Sequence, residues 1–443
     1  MSPFRSLSRT LGLLGTVATA SAGLITSSRA QENATAQASV VAQASAGDAE
    51  ASGEWTQWRG PRRDGTVVDE RWGESLDESN LVRKWRVDLG PSYSGPIVTA
   101  TQVFVTETVD EQDERVTALD RATGERLWSV AWPGAMQVPF FAKANGDWIR
   151  STPAYADGLL YVAGMRDVLV CLDGETGQEV WRFDFPQQLG TPLPDFGFVC
   201  SPLVDGDYVY VQAGGGFVKL DRKTGELVWK SLDDGGGMMG SAFSSPIKAS
   251  IEGVDQFLVQ TRESLCGVSA EDGTVLWRQE VPAFRGMNIL TPTVVGNRIF
   301  TSSYGGESFL YEIKQGDDQW SVETVWSNRQ QGYMSSPVVI NDHLFLHLRN
   351  QRFTCLDLED GEAAWTSTPF GKYWSLVANG NLILALDERG ELLLIDADPA
   401  ELKIMSRREV VEAEAWAHVA VCGGQIFVRD LNGLSVFDWK TGE

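Results

Sequence analysis

Five arginines stand at or beside tight turns between short β-rich runs: Arg166 (GMRD), Arg262 (TRES), Arg349 (HLRN), Arg389 (DERG) and Arg429 (VRDL). A guanidinium is a planar, permanently charged fork of donors that suits carboxylates. Gathered on one face, the five would make a cationic site for an acidic ligand or partner loop. The competing use is pairing inside the turn, as Arg166–Asp167 and Arg429–Asp430 allow. Arg262 has an acid on one side only and Arg349 is followed by Asn350, so these two are expected to be the most available. Aromatic residues recur at a second position, just ahead of a β-run: Trp148, Phe198, Phe243, Tyr333, Trp374 and Trp416. Met136, Phe140, Phe141, Phe196, Met238 and Met239 share the longer of those loops. Such residues either fill a channel or form a partner surface.

Other chemistry finds less support. His343 and His347 have helical metal-ligand spacing, but NDHLFLHLRN reads as a strand, where four residues span ~13 Å, too far for one ion. His418 stands alone, and neither a Ser-His-Asp order nor GxSxG occurs. Gly214–Gly216 precedes no helix and reads as a hairpin turn rather than a phosphate loop. Asp195, Asn288 and Glu307 are loop oxygens with no further ligands in pattern. Five cysteines (Cys171, Cys200, Cys266, Cys355, Cys422) form neither CxxC nor an adjacent pair, and are expected as small buried hydrophobes.

Composition narrows the partners. The chain has 443 residues, 37 Lys+Arg against 60 Asp+Glu and a net charge of −23, which argues against nucleic acid or anionic lipid. Sixteen Trp and 45 Gly with only three His favour a turn-dense β protein. Arg5 and Arg9 precede a small-residue apolar stretch, Leu11–Ile25, and Ser28-Arg29-Ala30 resembles a cleavage site, so residues 1–30 are expected to be an export signal. The stretch is too short and too polar for a membrane anchor, and no Cys near the site suggests a lipid. Residues 31–53 are low-complexity and polar, a leader without a core of its own. Residues 54–443 then form one domain, expected to be exported to the periplasm or cell envelope, soluble and monomeric.

That domain is built from repeats. TALDRATGERLW (117–128), VCLDGETGQEVW (170–181), VKLDRKTGELVW (218–229), CGVSAEDGTVLW (266–277) and TCLDLEDGEAAW (354–365) align, with weaker copies at 309–326, 392–405 and 435–443. The Asp-equivalent positions are 120, 173, 221, 269, 313, 357, 396 and 438, a period that marks a propeller or an array. Ahead of each copy lie two β-runs split by a Gly, Asn or Asp turn, making four strands per unit, one blade. Asp120, Asp173, Asp221 and Asp357 can accept N–H bonds from the following turn. Gly124, Gly177, Gly225, Gly273 and Gly361 take its left-handed position. Trp128, Trp181, Trp229, Trp277 and Trp365 sit in the outermost strands and can pack against a neighbouring blade. The last copy has no outer strand after it, and the orphan run LVRKWRV around Trp85 is expected to supply one and close an eight-bladed all-β ring. Residues 54–80 are expected to wrap the outside.

ALDRATGERLW (118–128) resembles the tryptophan-docking motif of PQQ-like propellers, a superfamily that includes the eight-bladed quinoprotein dehydrogenases and the propeller lipoprotein of the outer-membrane β-barrel assembly machinery. WTQWRGPRRDG (55–65) is similar to the entry segment of exported PQQ-like repeat proteins of planctomycete type. The resemblance implies either PQQ with Ca²⁺ and dehydrogenase activity, or a binding scaffold. Quinoproteins often carry adjacent cysteines and long inserts, both missing here. The expectation is therefore a non-catalytic scaffold without cofactor, binding a protein or small ligand at one mouth of the ring. A PQQ-dependent alcohol or polyol dehydrogenase is the alternative.

Overall fold

The computed structural model describes residues 53–441 except 235, 239, 241 and 318. The expected export signal, the leader up to residue 52, Met239 and the last two residues lie outside the described residues. Among the described residues, eight four-stranded antiparallel sheets follow one another in up-and-down order. Seven are contiguous in sequence, over 97–133, 154–184, 203–231, 247–280, 293–328, 338–369 and 374–409. The eighth takes three strands from 420–439 and its outermost from Leu81–Asp88, with Leu81 opposite Trp439 and Asp88 opposite Gly433. Helices are confined to short turns, and none among the described residues is long and apolar enough to cross a membrane.

The strands read as their positions require. The second and third strands of a blade are covered on both faces by neighbouring blades, so runs such as Leu159–Gly164 and Val168–Asp173 are buried almost throughout. Outer strands such as Arg126–Pro133 are mostly exposed. In the first three blades the third-to-fourth-strand turn is an Asx turn: Asp120 Oδ1 accepts from the N–H groups of Ala122 and Thr123, and Asp173 and Asp221 repeat the pattern. Gly124 (φ 77°) and Gly225 (φ 73°) need the left-handed conformation there.

Blades are stitched to one another by side chains. The indole N–H of Trp85 donates to Arg121 O (3.0 Å), Trp128 to Gly174 O (3.0 Å), Trp181 to Arg222 O (2.9 Å), Trp326 to Leu358 O (3.1 Å) and Trp365 to Asp398 O (2.9 Å). In each pair the acceptor lies in the next blade around the ring. Trp277 departs from this pattern: its N–H turns back to Gln256 Oε1 of its own blade (2.7 Å). The fifth blade has no glycine at the docking position to receive it. The Trp229 ring covers Gly273, while its indole N–H has no hydrogen-bond partner. Around the inner ends runs a second belt, in which Ser and Thr hydroxyls accept backbone N–H groups between neighbouring blades: Gly95 to Thr152, Thr152 to Ser201, Ser201 to Ser245, Thr291 to Ser336, Trp374 to Ser335 and Val419 to Ser375.

The entry segment corrects in part the expectation that residues 54–80 wrap the outside: its later portion does, with Leu76 N–H donating to Ser406 Oγ of an outer strand (3.0 Å). Residues 53–67 instead occupy the centre of the ring. Trp55 and Val98 exchange both backbone bonds (2.7 and 2.9 Å), and Tyr155 N–H donates to Thr56 O (2.9 Å). The Gln57 amide acts as a backbone mimic, accepting from Val204 N–H (3.0 Å) and donating to Val204 O (3.4 Å). Arg59 Nη2 donates to Pro337 O (2.5 Å), and Arg63 donates to Pro246 O, Pro202 O and Ser201 O (3.0, 2.6 and 3.1 Å). Gly65 and Val67 bracket Ala378 with two 2.8 Å bonds. The physical reason is the inner edge: each innermost strand would otherwise face the channel with unpaired N–H and C=O groups, and this segment satisfies them in six of the eight blades.

Candidate functional site: an aromatic and arginine arc on the top face

Second-to-third-strand turns and the connections from one blade to the next lie at the same end of the ring, here called the top face. Among the described residues the exposed large apolar side chains divide between outer strands, such as Leu127 and Val228, and those connections, where the exposed aromatics lie. Phe140 is 89% exposed, Phe141 50%, Phe284 52% and Met238 44%. Patches of this kind on a soluble surface mark interaction sites more often than chance.

The rings are continuous across blades. Phe140 meets Phe141 edge-on (5.7 Å), Phe141 meets Phe196 (6.2 Å), and Phe196 meets Phe243 (5.4 Å). Arg262 lies over Phe243 at 4.4 Å and over Phe196 at 5.7 Å. Its guanidinium donates to Gly286 O, Met238 O and Arg285 O (2.6, 2.9 and 2.7 Å), tying this group to the next one. There Phe284 packs on Tyr304 (6.2 Å) and Tyr304 on Tyr333 (4.8 Å), with Arg349 over Tyr304 at 4.4 Å. Arg349 Nη1 also donates to Gln331 Oε1 (2.8 Å). Phe284, Tyr304 and Arg285 were not singled out from sequence, although AFRG (283–286) stands in the equivalent connection, between the fourth and fifth blades.

The five arginines do not form one site. Arg349 and Arg166 are exposed on the top face. Arg389 is exposed but chelated by Asp387, with bonds of 2.8 and 3.0 Å. Arg262 corrects the expectation that it is among the most available, being 3% exposed, and Arg429, 1% exposed, corrects the expectation that it joins a surface site. Arg429 donates to Gly90 O, Asp430 O and Gly433 O, and burial pulls its pKa down to about 10. Burial likewise lowers Arg262.

The aromatic candidates divide the same way. Trp374 and Phe198 are buried packing residues: the Trp374 N–H donates to Asp387 Oδ2 (3.0 Å) with its ring against His347 and Phe370, and Phe198 packs on Phe185. Trp148, Phe243, Tyr333 and Trp416 remain partly exposed. Trp416 stacks on Tyr373 (6.0 Å, 6°) and leans on Tyr93 (5.6 Å), forming a separate aromatic group on blades seven, eight and one.

The histidines and cysteines singled out from sequence are placed apart from one another. His343 is half-buried near Asp357, whereas His347 lies buried on Trp374, and burial lowers its pKa to about 4. His418 is buried against Trp55 and Trp58, and burial pushes it down to about 3, with the Arg59 charge adding to the effect. All five cysteines are buried and free, with burial raising their thiols to about 12. Among the described residues no group of three or more His, Cys, Asp and Glu could hold a metal ion. Asn288 is committed to the backbone oxygens of Arg262 and Val281. A planar quinone held between blades needs the enclosed space at the ring's centre. That space is taken by Trp55–Val67, and Arg59 and Arg63 are used on backbone carbonyls. The residues present do not fit the cofactor.

The family described as "Outer membrane protein assembly factor BamB" matches residues 112–367. The chain is 23% identical over 370 residues to BamB of Moranella endobia, covering 78% of this chain and 85% of that protein. It is 22% identical over 336 residues to BamB of Escherichia coli K12, covering 63% and 82%. Among solved structures, BamB from Moraxella catarrhalis superposes with a TM-score of 0.59 at 15% identity, covering 82% of this chain and 99% of that one. Quinohemoprotein alcohol dehydrogenase from Comamonas testosteroni superposes at 0.61 with 13% identity, covering 88% and 81%. At these identities the structural likenesses speak to the fold alone, and they include both a BamB and an alcohol dehydrogenase.

Proposed function

The chain belongs to the BamB family of outer membrane protein assembly factors, and from that premise we propose that it is a non-catalytic propeller of the cell envelope that holds a protein partner on its top face. The observation that carries this reading is the run of touching rings and guanidiniums from Phe140 to Arg349, exposed at Phe140, Phe141, Phe284 and Arg349 and joined through the buried Arg262. A ring of rigid blades presenting apolar anchors in its loops is suited to docking a polypeptide, since the loops spend little entropy on binding. The dehydrogenase alternative is disfavoured because the chain's own entry segment fills the centre of the ring. The protein functions without PQQ or a metal, and is exported through its N-terminal signal.

The test is site-specific photocrosslinking in the native envelope from positions Phe141 and Phe284, with Leu227 on the outer flank as control. A discrete protein adduct from the first two and none from the third supports the reading. Equal labelling from all three, or none from any, overturns it.

A further inference from the structure

We propose that the part of the arc between Phe284 and Arg349 takes an acidic, extended polypeptide segment bearing an aromatic or aliphatic side chain. This rests on the reading of the top face as the docking surface and adds the chemistry of what docks there. Charge is the first observation. Around the flanks, many cations have a carboxylate, as in Arg182–Glu179, Lys314–Glu323, Lys403–Asp396 and Arg407–Glu391. Arg285 and Arg349 form no ion pair among the described residues and lie over Phe284 (5.1 Å) and Tyr304 (4.4 Å). Arg329 and Lys372 are exposed on the neighbouring connections, against exposed Glu263 and Glu280 and half-buried Glu307. In a chain of net charge −23 this stretch is a local cationic surface, and it attracts acids that the remainder of the molecule repels.

Geometry is the second observation. Phe284 and the Tyr304–Tyr333 pair stand beside the two guanidiniums, so one segment meets apolar and ionic contacts together. Arg285 holds a left-handed backbone (φ 54°) between Phe284 and Gly286. A membrane surface fits less well. Recognition of anionic lipid uses contiguous runs of roughly four to eight Lys and Arg, whereas the cations here come singly from separate connections with three glutamates among them.

The experiment uses the full chain and a fluorescent peptide repeating Glu-Glu-Phe-Gly, with a Gln-Gln-Phe-Gly version and vesicles of phosphatidylglycerol and phosphatidylethanolamine alongside. The acidic peptide is expected to bind about ten-fold more tightly than the amide version, a difference of about 1.4 kcal/mol. It should weaken about ten-fold in Arg285→Glu with Arg349→Glu, and also as salt approaches roughly 0.5 M. Arg285→Gln with Arg349→Gln should weaken it less, and Phe284→Ala should weaken both peptides. Equal binding of the two peptides, binding unchanged by either arginine pair, or capture by vesicles in place of peptide would overturn the proposal. Crosslinks from Phe141 and Phe284 to a partner that is not acidic would sink this inference while leaving the docking reading intact.

Discussion

Trp85 and Gly124 touch across the seam where the first and last blades meet. A Cβ on Gly124 would fall 2.8 Å from the Trp85 ring, and the indole N–H donates to Arg121 O of the same turn. The N-terminal strand thus docks the eighth blade to the first in the way Trp128 docks the first to the second over Gly177.

Gly124→Ala is expected to destabilise the fold by about 2–4 kcal/mol, since it adds a clash and a strained φ of 77°. Trp85→Ala should cost ~3–5 kcal/mol, the range for emptying a large aromatic site. The double variant should lose less than the sum, because the clash disappears with the ring. Urea melts of the three variants check this, and strict additivity would show that the contact does not hold the seam.

Arg63→Ala should be among the most damaging substitutions in the entry segment. It removes three bonds and leaves the carbonyls of Ser201, Pro202 and Pro246 without this partner. A loss of about 3–5 kcal/mol is expected. Arg62, which is paired with Asp64 near the surface, should cost under ~1 kcal/mol on removal. Similar midpoints for both variants would mean that the central segment contributes little.

Arg262 and Arg349 should behave oppositely when changed to Ala. Arg262 binds three carbonyls from a buried position, so its loss should destabilise by about 2–4 kcal/mol. Arg349→Ala should stay within about 0.5 kcal/mol of the parent. Thermal melts distinguish them.

Glu114 gives the pH dependence a sign. It is fully buried, accepting from Met165 N–H (2.6 Å) and Trp132 Nε1–H (3.0 Å), and burial raises its carboxyl to about 7. Asp167, buried with Gly214 N–H on Oδ2 (3.0 Å), is raised to about 7 for the same reason. A carboxyl raised in the folded state binds its proton more tightly than in the unfolded chain. Its contribution is therefore full below the unfolded pKa of about 4 and declines as pH rises to about 7. His347 and His418, both lowered, act in the opposite sense between about pH 4 and 6.5. Glu114→Gln isolates one term: its stability relative to the parent should increase by up to about 3 kcal/mol from pH 4 to pH 8. Denaturant melts across that range check it, and a parallel pair of curves would remove Glu114 from the account.

Quinone binding is expected to fail. PQQ with Ca²⁺ should leave the melting temperature unchanged and produce no dye-linked alcohol oxidation. Tight binding measured by calorimetry would require the Trp55–Val67 segment to leave the ring.

The eight-bladed architecture, the closing strand around Trp85 and the Asp-Gly-Trp spacing were legible in the chain because they are repeated and local. A turn that needs a left-handed residue after an Asx acceptor writes itself into sequence in every blade where it occurs, and a strand buried on both faces is apolar throughout. Three things were decided only in three dimensions. Which blade a Trp docks against depends on what its neighbour offers, so Trp277 turned back to Gln256 where the fifth blade lacks the glycine. Arginines at equivalent turns diverged because the depth of each turn, set by connections far away in sequence, made Arg262 and Arg429 buried carbonyl clamps and left Arg349 at the surface. The path of Trp55–Val67 through the centre of the ring followed from unpaired inner edges that exist only once the blades have assembled, and no local pattern in the segment itself records that demand.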